Sequence, residues 1–138
     1  MRYGGSSELA AQLLEEGEGT KADLFFSQDA GALGALAKAD RLETLPAATT
    51  ATVQEGFADA AGKWVATSAR ARVIAYDPAQ APEVTEMTSV DAVLDPKYKG
   101  KVGFAPTNAS FQSFVTALRV SKGEAGAKQW LEAFKANE

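Results

Sequence analysis

The chain contains no cysteine and no histidine among its 138 residues. That excludes disulfides, zinc sites built on thiolate or imidazole, and serine–histidine or cysteine–histidine nucleophile pairs, so oxygen ligands would have to hold any metal. No apolar run approaches the ~20 residues that span a bilayer. No basic block tracks a phosphate backbone either: 14 lysines and arginines stand against 18 acidic residues, for a net charge of −4. Nucleic acid is therefore not an expected partner. The opening MRYGGSSELAAQ has no apolar core after Arg2, so no secretory signal peptide is expected in this chain. Internal repeats and low-complexity tracts are absent. What remains is a globular composition, 46% hydrophobic and 23% charged, long enough for one domain or parts of two.

The sequence is organised around Lys101 to Val120, KVGFAPTNASFQSFVTALRV. A short apolar run with Val102 and Phe104 breaks at Pro106. Four small or polar residues follow, Thr107, Asn108, Ala109 and Ser110. The stretch then continues with Phe111, Phe114, Val115 and Leu118 at helical spacing. This reads as strand, turn and helix. The first N–H groups of a helix lack intrahelical partners and carry partial positive charge, which favours an anion. Two accounts of the turn are open: Asn108 or Ser110 caps the helix, or the turn docks an oxyanion.

Earlier in the chain, Ser6 or Ser7 can cap a helix through Glu16, with Leu9, Ala10, Leu13 and Leu14 on one face and Gly17 and Gly19 ending it. Ala22 to Phe26 (ADLFF) is apolar without alternation, as expected of a parallel strand buried on both faces. Ser27-Gln28-Asp29 follows, and then a small-residue helix over Ala30 to Ala39 that Asp29 can cap. Polar groups at the carboxyl end of a parallel strand face the crevice where α/β sheets bind ligands, which makes Gln28 and Asp29 site candidates. Thr49 to Ala61 reads as weak helix or loop. Trp64 to Thr67 and Arg72 to Tyr76 read as strands too close for a helical crossover, forming either a hairpin or one bent strand. Turn-rich Asp77 to Pro82 marks a change of region. Beyond it a short helix over Ser89 to Leu94 stops at Asp95-Pro96, and a final helix from Glu124 to about Asn137 aligns Ala127, Trp130, Leu131 and Phe134. The expected fold is α/β, a mostly parallel sheet flanked by helices.

Three runs together resemble one family: SSELAAQLLEEGEGTKADLFFSQDAGALGALAKADRLETLP, WVATSARARVIAYDP, and SVDAVLDPKYKGKVGFAPTNASFQSFVTALRVSKGEAGAKQWLEAFKAN. In order and spacing they are similar to the ferric-iron-binding proteins of bacterial ABC importers, among the type II periplasmic binding proteins. The resemblance implies a periplasmic binding protein rather than an enzyme. It implies two lobes that close around Fe(III) with a synergistic anion and deliver the ion to a membrane permease. On that template residues 1–70 form part of the N-terminal lobe, 71–77 a crossing strand and 78–138 part of the C-terminal lobe. The turn Thr107-Asn108-Ala109-Ser110 is similar to the family's anion-binding turn, and Arg70 and Arg72 flank the crossing segment, where a guanidinium either faces the cleft and attracts the anion or is solvated or paired on the surface.

The same resemblance exposes departures. Gln28 stands where the family commonly supplies a glutamate ligand, and a neutral amide is a weak ligand for a hard cation; Asp29 is the adjacent substitute. The family's paired tyrosine ligands have no counterpart, since Tyr3, Tyr76 and Tyr98 stand singly. The N-terminal strand that often brings a histidine is missing too. The chain resembles the middle half of such a protein and is not expected to hold Fe(III) tightly by itself. Three other readings compete. One is a binder of oxyanions or small organic anions that uses the same turns. Another is a flavodoxin-like enzyme or regulator domain with Asp29 on Mg(II). The last is a chain that self-associates through exposed strand edges, with Trp64, Trp130 and Phe134 as interface. Lys97, Lys99 and Lys101 read as a solvated basic loop.

Overall fold

The computed structural model describes residues 1–137. Among them, α-helices occupy Ser6–Glu16 (α1), Ala30–Lys38 (α2), Ala47–Thr50 (α3) and Ala109–Ala136 (α4), with 3-10 turns at Gly17–Gly19, Pro82–Glu86, Val90–Leu94 and Pro96–Tyr98. The backbone groups into two compact units. The first comprises Met1–Ala69 with Pro106–Ser113, and the second Arg70–Ala105 with the chain from Phe114 onward.

In the first unit α1 packs against α2, burying Ala10 and, completely, Leu36. Asp29 starts α2 by accepting from the Gly31 N–H at 2.9 Å, which satisfies one of the orphan donors of the first turn. The helix closes at Asp40, which sits in the left-handed region (φ 54°), while the Arg41 N–H bonds back to the Leu36 carbonyl. Farther along, the Asp59 carboxylate accepts from the Ala61 and Lys63 N–H groups, and Gly62 (φ 72°) turns the chain. That turn folds Val65 back onto Ala58 in an isolated antiparallel bridge. The partner of the Trp64–Thr67 run is therefore residues 57–59, correcting the expected hairpin with Arg72–Tyr76. A carboxylate-capped turn pairs the run locally before the chain reaches the later one.

The second unit holds a core of Val93, Leu118, Ala127, Trp130 and Phe134, lined by Val90, Leu94, Val102, Phe114 and Leu131. Trp130 stacks on Phe134 at 5.0 Å between ring centroids and meets Phe114 edge-on at 5.3 Å. Trp130 and Phe134 are thus core residues, which removes them from the expected interface. Burying side chains of this size contributes roughly 1.5–3 kcal/mol each. Both limbs of α4 feed this core because Gly123 (φ 73°, ψ 171°) leaves helical geometry between them. Asn137 is buried and ties the unit together: its amide donates to the Val93 and Asp95 carbonyls at 3.0 Å each, and its own carbonyl accepts from the Gly100 N–H.

The expected parallel sheet is not formed among the described residues. Ala22–Phe26, which bends at Asp23, and Arg72–Tyr76 have no regular secondary structure and enter no ladder, and Leu24, Phe26 and Val73 are 81%, 71% and 77% exposed. This corrects the reading of ADLFF as a strand buried on both faces. A strand is completed by the neighbours that take its N–H and C=O groups, and an apolar run cannot supply them itself.

Candidate functional site

The two candidate turns lie in the same unit, at a corner where three helices begin. At α1, the Ser6 hydroxyl accepts from the Gln28 N–H at 2.9 Å, and Ser7 donates to the Gln112 side chain at 3.0 Å. At α2, Asp29 caps Gly31, and a Cβ at Gly31 would lie 3.4 Å from the Ser113 hydroxyl. At α4, the Asn108 side-chain oxygen accepts from both the Ser110 N–H (2.9 Å) and the Ser110 hydroxyl (2.8 Å). The starts of α1, α2 and α4 therefore share hydrogen bonds or van der Waals contact.

Capping is what the structure shows Asp29 and Asn108 doing. Thr107 is exposed, Asn108 and Ser110 are half-buried and Ala109 is buried. Gln28 is exposed, with its backbone rather than its side chain held by Ser6. The second carboxylate oxygen of Asp29 is buried and has no hydrogen-bonding partner among the described residues. Arg70 is exposed and belongs to the second unit. Among the described residues no three acidic side chains gather to hold a metal ion. Ser6, Ser7, Gln112 and Ser113 were missed in the sequence. The two serines looked like interchangeable caps of α1, yet they reach residues 22 and 105 positions away.

Elsewhere, charge is arranged to hold the second unit's loops. Lys122 donates to Asp91 at 2.8 Å and lowers that carboxyl below its usual range. Glu83 is lowered first by its own backbone N–H, and further by the Tyr98 hydroxyl and the charges of Lys97 and Lys101. The Tyr98 hydroxyl in turn raises Lys97. None of these groups sits at the corner of helix starts.

The corner gathers hydroxyls, side-chain amides and the starts of three helices. The family described as bacterial extracellular solute-binding protein matches residues 19–138, and the chain belongs to it. It is 35% identical over 137 residues to the Fe(3+)-binding periplasmic protein of Serratia marcescens, covering 99% of this chain and 40% of the relative. It is 42% identical over 130 residues to the major ferric iron-binding protein of Neisseria meningitidis, covering 93% and 39% respectively. Among solved structures it is similar to iron-bound HitA from Pseudomonas aeruginosa, with a TM-score of 0.90 and 36% identity over 98% of this chain and 44% of that one. The chain thus spans about 40% of the length of these curated relatives.

Proposed function

We propose that this chain forms part of the substrate-binding component of a ferric iron importer, working outside the cytoplasmic membrane and delivering its cargo to an ABC permease. The observation that carries this reading is the likeness to iron-bound HitA over nearly the whole chain at 36% identity. On this reading the chain contributes segments of two lobes of a type II binding protein, with a mostly parallel sheet and residues 71–77 crossing between lobes. The helix start at Thr107, Asn108, Ala109 and Ser110 is its anion dock. Backbone N–H groups and hydroxyls suit an oxyanion, which would take the place of the Asn108 side-chain oxygen that now accepts from the Ser110 N–H and hydroxyl. Gln28 and Asp29 form its contribution toward the metal, Asp29 through the carboxylate oxygen that has no partner among the described residues.

Titration with phosphate, followed by amide resonances, tests the anion dock. Ala109, Ser110 and Phe111 are expected to shift together, weakly and saturably. Titration with Fe(III)-nitrilotriacetate is expected to give no tyrosinate charge-transfer band, because Tyr3, Tyr76 and Tyr98 stand singly. A band at one iron per chain, with no phosphate effect at Ala109–Phe111, would overturn this assignment of the site. A second reading, an oxyanion binder without metal, is favoured by the lack of an acidic cluster among the described residues. It predicts that phosphate affinity is unchanged by a chelator and unimproved by iron.

A further inference from the structure

The two limbs of α4 carry a groove on the second unit, with a volume of about 300 Å³ and a floor of Val115, Ala127 and Leu131. Arg119 on the first limb donates to Glu124 on the second at 2.7 Å, which ties the limbs together beside the turn at Gly123. Lys128 and Lys135 line the wall formed by the second limb, and both are exposed. They stand seven residues apart, close to two helical turns, so they leave the same side of the limb about 10.5 Å apart along its axis. Lys135 has no ion-pair partner among the described residues, and Lys128 has only the exposed Glu132 at 3.8 Å. An exposed pair of that kind contributes little and exchanges partners easily.

Helix α1, in the first unit, offers a surface of the opposite sign. It buries Ser6 and Ala10, and the face turned away carries Glu8, Ala11, Leu14 and Glu15, all exposed, Leu14 at 40%. At 3.6 residues per turn these four fall within an arc of about 120°. Neither Glu8 nor Glu15 has an ion-pair partner among the described residues. The two glutamates are also seven residues apart, with Ala11 and Leu14 between them, just as Leu131 lies between the two lysines. A helix seats in an apolar groove when its apolar residues meet the floor and its charges meet the rim. Spacing and sign agree on both counts.

We propose that the α4 groove docks helix α1 of a second copy of this chain. Glu8 and Glu15 of one copy face Lys128 and Lys135 of the other, and Leu14 packs on Val115 and Leu131. Glu132, on the same rim, opposes the incoming carboxylates and keeps the association weak. The contact uses none of the residues assigned to the anion or the metal, so it stands or falls apart from the iron reading.

The test follows the mass of the full chain by light scattering and sedimentation from about 10 µM to about 1 mM, the range of weak specific contacts, with amide resonances recorded over the same series. Mass is expected to rise above the 14.4 kDa of the monomer, with shifts concentrated at residues 8–15 and 115–135. Reversing both lysines, Lys128→Glu with Lys135→Glu, should weaken association at least tenfold, and Glu8→Lys with Glu15→Lys should do the same. All four side chains are exposed, so each variant should keep the parent's circular dichroism. Mixed with each other, the two reversed chains should associate again, because groove and helix have exchanged signs. Glu132→Gln should strengthen self-association, by about threefold. The proposal is overturned if the chain stays monomeric throughout, if association survives both reversals, or if the mixture fails to restore it. Shifts at residues 22–26 or 71–76 without shifts along α1 would also overturn it, by placing self-association elsewhere.

Discussion

At the residue scale the caps decide most. Asp29 and Asn108 were legible as caps because aspartate and asparagine before a small-residue or amphipathic helix have a local partner within two residues, and both take it. Asp29→Ala should lower stability by about 1 kcal/mol in urea unfolding, while Asp29→Asn, which can accept the same N–H, should lose little. The glycines separate in sign. A Cβ at Gly34, on the exposed side of α2, would meet nothing within 4 Å, so Gly34→Ala should stabilise by roughly 0.5–1 kcal/mol. Gly123 combines φ 73° with ψ 171°, a conformation almost confined to glycine, and Gly123→Ala should cost about 1–3 kcal/mol in the same measurement. Ser6 and Ser7 were not legible in this way. Their partners Gln28 and Gln112 are near only after folding, and no local pattern announces a contact across that separation.

At the element scale, helices were readable and strands were not, for one physical reason. A helix closes its hydrogen bonds within its own residues, so Ala30–Lys38 and the two limbs of α4 could be drawn from spacing and caps to within about two residues. A strand closes its bonds on another segment, so ADLFF announced an apolar extended run without revealing whether a neighbour is present in this chain. The run Trp64–Thr67 shows the converse, finding a partner in residues 57–59 through a turn set by Asp59 and Gly62. Periodicity also placed Ala127, Trp130 and Phe134 on one face of the last limb, and all three are in the core. Trp130→Ala should therefore destabilise by roughly 3–5 kcal/mol, read as a fall in the urea midpoint. Were Trp130 an interface residue, the change would lower a dimer's affinity and spare the monomer.

At the scale of the whole molecule, acid should act on both units, because Glu16 in the first is lowered by its hydrogen bond from Arg2 just as carboxyls of the second are lowered. Asp91 and Glu83 are both lowered from their ordinary carboxylate values. A carboxyl lowered in the folded state adds stability above its unfolded pKa, near 4, and that contribution is lost as pH falls through the folded value. Thermal midpoints should hold from about pH 7 to 5 and drop below about pH 4, and Asp91→Asn should flatten part of that drop. The first unit responds to a further variable as well. Each helix start carries about half a positive charge, and the starts of α1, α2 and α4 are held side by side with the Asp29 carboxylate among them. The corner is electrostatically frustrated: its own hydrogen bonds hold together dipole ends that repel. Raising ionic strength from about 10 mM to 150 mM shrinks the screening length from about 30 Å to 8 Å, which relieves that repulsion while weakening pairs such as Lys122–Asp91. Each unit carries one tryptophan, Trp64 in the first and Trp130 in the second. Salt should therefore lower the Trp130 transition more than the Trp64 transition, because in the first unit the relief at the helix starts offsets the weakening of its own pairs, Arg2–Glu16 and Lys63–Asp40.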